Sequence, residues 1–471
     1  MLMTAPTALL SSIDEQTKRL RAEILSATHE IPADKPVYYI AMDGDDTADG
    51  RSPEHAWKTL NALASHEIAP GSEVLFERGG LWRGRFIAAP GVTYSAFGDG
   101  DKPCIVGSPC NGAKVGKWKE VAPDIYRYST KFVDDVGGLV MDGGSSHGLK
   151  KVINYSAEQP FDNVKKTPFH GYTDLEEDLE YWHDLGGANV SNPDGGYLYL
   201  CSKGGNPSER FEQIEFLTRG NVIRIGGNGV TIDNLCVMYG GSHGVGSGTT
   251  KDLVVTNCIF GWIGGALQFY RDGRPTRFGN GVEIYGGCDN YVIDHCWVYQ
   301  IYDAGITHQL SAGGDQDCTM NHVRYTNNLI EYCTYSIEYF LGKSNREDAV
   351  RWMADIDMRD NILRFAGYGW GHQRPDKTQA SHIKGWDSYN RLTGDCTIED
   401  NILECSRYMM IHCGVADEAW TPIFRGNTFI QYAGGELGRF GLAPTKLMAY
   451  IYQNVIAEAF VGNEFYILPN D

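Results

Sequence analysis

From about residue 220 onward the sequence repeats one short pattern, and this repeat constrains the fold more than any other feature. Each copy has a short alternating strand, an Asn or His, and a second short apolar strand. Such a repeat is typical of a solenoid, in which each unit buries its apolar face against the next. The copies are GVTIDNLCVMYGG, DLVVTNCIFGWIGG, NYVIDHCWVYQIYDAG, HVRYTNNLIEYCTYS, DIDMRDNILRFAGYG, DCTIEDNILECSRYM, TPIFRGNTFIQYAGG and AFVGNEFYI.

The polar position at the centre of each copy predicts how successive repeats are joined. The side chains alternate at period two over four to six residues, which excludes a helical solenoid, and a propeller would need more strands per repeat. A parallel β-helix remains, and in it an amide can bond from coil to coil at a turn. We therefore predict a structural role for the aligned residues Asn234, Asn257, His295, Asn328, Asn361, Asn401, Asn427 and Asn463.

The chain resembles the right-handed parallel β-helix proteins of the pectate-lyase-like superfamily, which are carbohydrate-active enzymes of many kinds. Besides the repeats, YYIAMDGDDTADGRSPEHAWKTLNAL at 38–63 and GSEVLFERGGLWRGRF at 71–86 are similar to the opening of bacterial members. The segment DGGYLYLCSKGGNPSERFEQIEF at 194–216 is similar to what precedes their regular coils. The resemblance implies an all-β, single-stranded right-handed parallel β-helix and a bacterial glycoside hydrolase or polysaccharide lyase, without naming a substrate.

The predicted domain organisation is one long unit with an N-terminal addition. Residues 1–36 form a leader and an amphipathic helix, since Ile13, Thr17, Leu20 and Ile24 share one helical face, and this helix is expected to cap the solenoid. Residues 37–471 form the β-helix domain. Within it, an acidic and aromatic stretch at about 136–200 breaks the pattern and predicts an insertion beside a cleft.

Charge and composition limit the class of partner. A formal charge of −19 disfavours nonspecific binding to nucleic acid or to an anionic membrane surface. The first residues, MLMTAPTALLSSIDEQTK, lack the cationic start of a secretory signal, so we expect a cytoplasmic protein, or a secreted one if a leader has been trimmed. The 12 cysteines are dispersed without metal-site spacing, which predicts free thiols.

Counting eight to thirteen residues forward from the polar position of each repeat reaches an equivalent position in each coil, which we call the station. Because a solenoid stacks equivalent positions, the polar residues at this station are predicted to form a column along one face. Long loops at 271–280, 341–352 and 371–391 emerge nearby, and loops on a rigid scaffold are where binding residues concentrate. The predicted binding residues of this station and these loops are His243, Gln268, Arg271, His308, Tyr339, Trp370, His372, Gln373, Arg374, His382, Lys384, Trp386 and His412.

Two carboxylates of the same station, Asp303 and Glu338, predict glycoside hydrolysis. That reaction needs one acid to protonate the leaving oxygen and one carboxylate to attack or to activate water. The apolar surroundings in YSIEYF favour Glu338 as the acid, which leaves Asp303 as nucleophile or base. The alternative is structural, with Asp303 in a turn and Glu338 paired to a loop arginine. The substrate is expected to be an oligosaccharide, with no cofactor and no metal.

A lyase acting on a uronic-acid glycan is the alternative enzyme, because β-elimination needs a base and cations that neutralise the carboxylate. The candidate bases and cations are His308, Tyr339, His372, Arg374 and Lys384, and the candidate anion-binding residues are Arg271, Arg274 and Arg277. A calcium ion is expected only for a lyase, although no dense Asp cluster is present. An adhesive, non-catalytic β-helix is a third alternative. Sugar identity, linkage, stereochemistry, exo or endo action and oligomeric state stay open.

Overall fold

The chain folds into a right-handed parallel β-helix, as the repeat predicts. The computed structural model describes residues 3–373, 380–385, 395–413, 422–440, 443–446 and 460–468. Each coil contributes one strand to each of three long sheets, and each strand pairs in parallel with its equivalent in the next coil. Parallel strands stack at about 4.8 Å, so successive coils place equivalent residues in columns.

Sheet 1 receives the first strand of each repeat. Its strands, in spatial order, are Val37–Ile40, Glu73–Glu77, Thr93–Phe97, Thr231–Asp233, Thr250–Thr256, Cys288–Asp294, Cys318–Thr326, Arg351–Arg359, Cys396–Glu399, Ile423–Arg425 and Phe460–Val461.

Sheet 2 receives the second strand of each repeat, and the N-terminal strand extends it at the far end. Its strands are Leu81–Arg83, Cys104–Val106, Cys236–Met238, Ile259–Ile263, Trp297–Ile301, Leu329–Glu331, Ile362–Ala366, Ile402–Ser406, Thr428–Gln431, Glu464–Ile467 and Met3–Thr4.

Sheet 3 follows sheet 2 in each coil and ends in an antiparallel pair. Its strands are Phe86–Ala88, Ile223–Ile225, Val245–Ser247, Val282–Tyr285, Ala304–Leu310, Tyr335–Leu341, Ser381–Gly385, Met409–Cys413, Glu436–Phe440 and Ala443–Lys446. An antiparallel hairpin, Leu267–Arg271 and Arg274–Arg277, is inserted between sheets 2 and 3 of one coil.

The interior of the solenoid is a single apolar stack. Inward-facing Ile, Val, Leu and Phe side chains of the three sheets pack coil upon coil, with Cys258, Cys288 and Cys296 among them. All 12 cysteines are free, as predicted, and the fully buried ones act as small apolar residues. None of the helices in the described chain is long and apolar enough to cross a membrane.

The asparagine ladder is confirmed for the later coils. Asn361 Oδ1 accepts from the backbone and the amide of Asn328 at 3.0 Å, and its Nδ2 donates to Asn401 Oδ1 at 2.9 Å. The same bonds link Asn401 to Asn427 and Asn427 to Asn463. These amides extend the hydrogen-bonding of the sheets through the turn between sheets 1 and 2.

The alignment of the earlier polar residues on this ladder is wrong by one position. Strand register places Asp233, Thr256, Asp294 and Thr326 at equivalent positions, so Asn234, Asn257 and His295 are equivalent to Asn327 and not to Asn328. All four adopt left-handed backbone conformations, with φ from 47° to 55°. They form the turn itself, where Asn is favoured for its tolerance of positive φ, while the ladder position beside them points inward.

The N-terminal helix, Thr7–Ser26, is present, but it lies along the outer face of sheet 2 instead of covering an end. Its buried residues are Ile13, Thr17, Leu20 and Ile24, the predicted face. Ile24 packs with Ile259 and Leu329 near the middle of the sheet, while Ile13 packs on Ile430 near the last coil. The end itself is extended by Met3–Thr4, which pairs with the final strand.

The insertion is longer than the sequence suggests. It occupies residues 107–219, between the sheet 2 strand Cys104–Val106 and the sheet 3 strand Ile223–Ile225, and it has its own aromatic core. Its strands are Trp118–Ala122, Ile125–Tyr128, Phe132–Asp134, Val136–Met141, Ser146–His147, Leu149–Lys150, Ile153–Asn154, Phe161–Asp162, Glu180–Asp184, Ser191–Cys201 and Ile214–Thr218. The remaining short helices are Pro53–His55, Ala62–Ser65, Asp142–Gly144, Tyr172–Asp174, Pro207–Arg210 and Trp370–Gln373.

Candidate active site

A groove of about 1170 Å³ lies along the outer face of sheet 3, beside the Leu267–Arg277 hairpin. The register of sheet 3 defines an outward-facing column whose steps are about 4.8 Å. The column is Arg224, Gly246, Glu283, Thr307, Glu338, Lys384 and His412. Of the predicted station only Glu338, His412 and the Asp303–His308 stretch contribute to this column, and its members Arg224, Gly246, Glu283, Glu338 and Lys384 line the groove.

Of the predicted residues, Asp303, Glu338, His243, Gln268, Arg271 and Lys384 line the groove. Gln268 accepts a hydrogen bond from Ser242 Oγ at 3.0 Å and donates to the Ala266 carbonyl, which fixes its amide in the wall. Arg271 is exposed on the hairpin. His412 is buried and directly follows Lys384 in the column.

His308 and Tyr339 do not line the groove, in contrast to the prediction. Each stands one residue after a column member, and successive residues of a strand point to opposite faces. Both are therefore inside the solenoid and fully buried. His308 Nδ1 contacts the Tyr325 hydroxyl at 2.8 Å, and burial lowers the pKa of this histidine to about 3. A neutral interior imidazole is a packing residue.

Trp370 and His382 are also buried away from the groove. Trp370 Nε1 donates to the Gln300 carbonyl at 2.7 Å, within an apolar cluster under the insertion. His382 contacts Ser336 Oγ at 3.0 Å and the Glu404 carbonyl at 3.1 Å, and burial lowers its pKa to about 3. Both side chains are used for packing between coils.

His372 and Gln373 lie at the contact with the insertion. His372 Nδ1 is 2.8 Å from the Gly369 carbonyl, and its ring stands 6.2 Å from that of His147. Gln373 accepts from the Lys150 backbone at 3.2 Å. Neither lines the groove. The predicted residues Arg374 and Trp386 lie outside the described residues.

Glu283 is a carboxylate of the groove that the sequence reasoning missed. It is buried in the column, one step before Thr307 and two steps before Glu338. Its Oε2 accepts from the amides of Asn280 and, at 3.0 Å, Gln309. The hairpin separates Glu283 from its repeat's polar position, so counting forward from Asn257 stops short of it. The signal that could have found it is the strand VEIY after the hairpin.

The surroundings of Glu283 favour its protonated form. Burial raises the pKa of Glu283, and the negative charges of Glu338 and Asp303 raise it further, against the opposing effects of His243 and Asn280. His243 Nδ1 already accepts the backbone N–H of Asn280 at 3.1 Å, and it stands 3.3 Å from Glu283 Oε2. The raised pKa makes Glu283 a candidate proton donor.

Glu338 is paired with Lys384 on the next coil. The two side chains form a buried ion pair, and Lys384 Nζ lies 3.9 Å from the centre of the Tyr335 ring. Burial acts against the charge of Lys384, but Glu338, Tyr335 and Asp303 outweigh it and raise its pKa. The role of proton donor for Glu338 stays a prediction, and this ion pair does not favour it.

Asp303 lies in the groove on the coil between Glu283 and Glu338, just before the strand Ala304–Leu310. The predicted adjacency of its coil to that of Glu338 is confirmed, but the residue opposite Glu338 is Thr307. Asp303 is buried, and its charge reaches both Glu283 and Lys384. Three carboxylates on three successive coils, one of them favouring protonation, can exchange protons with a bound substrate.

The groove and the rest of the described chain offer no evident set of ligands for a metal ion. Among the described residues, no three His, Cys, Asp or Glu side chains are grouped so that they could hold a metal ion. The expectations about cofactors stay predictions.

Comparison with known proteins gives structural likeness only. No family model and no curated protein matches the sequence. A solved complex of XylC with xylose is 11% identical, with a TM-score of 0.44 over 92% of this chain and 82% of the other. Pectate lyase Pel9A is 11% identical, with a TM-score of 0.42 over 92% and 76%. The family 28 exopolygalacturonase of Yersinia enterocolitica is 10% identical, with a TM-score of 0.34 over 94% and 79%. The fold of this chain is shown by its own strand pairing, and it is a right-handed parallel β-helix.

Proposed function

We propose that the protein is a carbohydrate-active enzyme, and specifically a glycoside hydrolase that cleaves an oligosaccharide in the sheet 3 groove. The observation that carries the proposal is the grouping of Glu283, a carboxyl group whose pKa is raised, with two further carboxyl groups, Asp303 and Glu338, on the next two coils. An acid and a carboxylate in one groove are what glycosidic hydrolysis requires.

In this proposal Glu283 donates a proton to the leaving glycosidic oxygen. Its hydrogen bonds from Asn280 and Gln309 fix the carboxyl group, and His243 Nδ1 stands 3.3 Å from its Oε2. Asp303 acts on the anomeric carbon, directly or through a water molecule. Glu338, paired with Lys384, contributes to the raised pKa of Glu283 and stabilises the positive charge of the transition state.

A lyase acting on a uronate is the second candidate, and the arginines that line the groove favour it, since they would neutralise a carboxylate. The available bases are fewer than the sequence predicts. His308 and Tyr339 are in the core, and Lys384 has a raised pKa that keeps it protonated. A protonated lysine cannot abstract a proton.

The test is incubation with a panel of neutral and uronic oligosaccharides, following new reducing ends and the ultraviolet absorbance of an unsaturated uronate in parallel. Hydrolysis gives reducing ends without absorbance, and Glu283→Gln is expected to lower kcat by about 10²- to 10⁴-fold, the usual contribution of a general acid. Asp303→Asn and Glu338→Gln are each expected to abolish turnover with the fold intact. Asp289→Asn, at a half-buried carboxylate on sheet 1 away from the groove, is the control and keeps wild-type rates.

Absorbance rising together with reducing ends would assign the protein to the lyases and overturn the hydrolase proposal. Wild-type rates in Glu283→Gln would remove this residue from the chemistry.

A further inference from the structure

The hairpin Leu267–Arg277 has one face toward the groove and the other toward the insertion. The pairing of its two strands shifts register between Leu267 and Phe269. Beyond this shift successive side chains alternate, so Phe269 and Arg271 line the groove, while Tyr270 between them turns toward the insertion. The hairpin is therefore a wall of the groove that the insertion supports from behind.

The tip of the hairpin packs closely on the backbone of the insertion. The Tyr155 N–H donates to the Gly273 carbonyl at 2.8 Å, and the Tyr270 hydroxyl donates to the Ile153 carbonyl at 3.4 Å. Gly273 has a φ of 73°, and a Cβ atom at this position would lie 2.5 Å from the Tyr155 backbone. The contact at the tip is therefore made backbone against backbone, and it leaves no room for a side chain at Gly273.

The base of the hairpin is held by one fully buried carboxylate of the insertion, that of Asp135. Its Oδ2 accepts the backbone N–H of Leu267, the first hairpin residue, at 2.7 Å, and its Oδ1 accepts Lys150 Nζ at 2.7 Å. Lys150 also donates to the Val136 carbonyl at 2.5 Å, and His183 Nδ1 lies 3.6 Å from Asp135 Oδ1. Burial acts against the charge of Asp135, but Lys150 and His183 outweigh it and lower the pKa of Asp135 well below its ordinary range. The carboxylate is therefore ionised, and both of its oxygens accept hydrogen bonds.

We propose that Asp135 is a positioning residue of the groove, which fixes the base of the hairpin and thereby places the wall residues Phe269 and Arg271. The proposal rests on the proposed hydrolase function, and it assigns to the insertion the task of shaping the substrate site. A carboxylate serves the Leu267 N–H with one oxygen and Lys150 with the other. The carboxyl groups assigned to the chemistry lie on or beside sheet 3 and not on the hairpin, so a displaced wall weakens substrate binding with little effect on the chemical step.

The test compares two double variants that both lack the buried charges and differ in one hydrogen-bond acceptor. Asp135→Asn/Lys150→Met keeps an amide oxygen for the Leu267 N–H, whereas Asp135→Leu/Lys150→Met removes that acceptor. Hydrogen–deuterium exchange measured by mass spectrometry follows residues 267–277, with the insertion strand Ser191–Cys201 as internal reference. The Leu variant is expected to exchange at least about tenfold faster than wild type in the hairpin but not in the reference strand. The Asn variant is expected to exchange like wild type in both.

Kinetics on the first cleaved oligosaccharide of the panel then distinguish a positioning role from a purely structural one. The Leu variant is expected to raise KM about tenfold with kcat within about twofold of wild type, and the Asn variant is expected to change neither. Asp162→Asn is the matched control, since this buried carboxylate pairs with Lys151 and accepts from the backbone of Val164 and Lys165, all within the insertion. It is expected to leave hairpin exchange and KM at wild-type values.

Equal hairpin exchange in the Leu and Asn variants, or equally fast hairpin exchange in Asp162→Asn, would overturn the role of Asp135. Fast hairpin exchange in the Asn variant would also overturn it, whether or not the Leu variant folds. Faster exchange in the Leu variant with an unchanged KM would overturn the positioning role and leave Asp135 as a structural residue. If no glycan of the panel is cleaved, the hydrolase function fails, while the exchange experiment needs no substrate and still decides whether Asp135 holds the hairpin.

Discussion

Replacing Asn361 with alanine tests the ladder that joins the later coils. The Asn361 side chain is fully buried and takes part in four hydrogen bonds, to the backbone and amide of Asn328, to the Tyr325 carbonyl and to Asn401. In the variant the Asn328 backbone N–H loses its acceptor inside the protein. A buried polar group without a partner costs about 1–3 kcal/mol, and each further lost bond costs about 1 kcal/mol.

The orphaned Asn328 N–H and the lost bonds to the Asn328 amide, to Tyr325 and to Asn401 together predict a decrease of about 5 kcal/mol in the free energy of unfolding. Urea unfolding followed by circular dichroism measures it. Asn61→Ala, at an exposed position that makes no capping bond, is the control and is expected to stay within about 0.5 kcal/mol of wild type. An Asn361→Ala variant as stable as Asn61→Ala would refute the structural role of the ladder.

Two further predictions concern the N-terminal segment. Ile24→Ala removes a fully buried side chain from the contact with sheet 2 and is expected to lower the free energy of unfolding by about 2–4 kcal/mol. The control is Leu25→Ala, at the exposed neighbouring residue, which is expected to change the free energy of unfolding little. Equal effects of the two variants in thermal melts would contradict the position of the helix. His29 lies 3.0 Å from Asp233 and 2.7 Å from Glu73. The hydrogen bond to Asp233 and the smaller effect of the bond to Glu73 raise the pKa of His29 above 6.5, although partial burial lowers it. The stabilisation by protonated His29 is therefore complete below pH 6.5 and is lost as the pH rises through the higher folded-state pKa. Over that pH range the free energy of unfolding of the wild type is expected to fall. The free energy of unfolding of His29→Gln is not expected to fall in this way.

The repeat was sufficient to predict the fold because a solenoid is defined by nearest-neighbour stacking. The alternation, the Asn residues and the spacing together predict a parallel β-helix, and strand pairing confirms it. The alignment failed by one residue at Asn234, Asn257 and His295 because a turn Asn and a ladder Asn look alike in sequence. Only the register separates a residue that adopts positive φ from its inward-pointing neighbour.

The same one-residue ambiguity limits prediction of the site. Glu338 and Lys384 point outward, while Tyr339 next to Glu338 points into the core, and sequence spacing alone does not say which of two neighbours faces the groove. His308 is buried for the same reason. Glu283 was missed because an inserted hairpin changes the count between its repeat's polar position and its strand.

The most direct test of the central claim is the pH dependence of kcat/KM for hydrolysis by the wild-type enzyme and by Glu283→Gln, on the first oligosaccharide of the panel that is cleaved. A protonated Glu283 as proton donor predicts activity that persists above the ordinary glutamate range and falls when the pH exceeds the raised pKa of this residue. The variant is predicted to keep its fold, lose this alkaline limb and work at least about 10²-fold more slowly. An unchanged rate and an unchanged alkaline limb in Glu283→Gln would contradict the account.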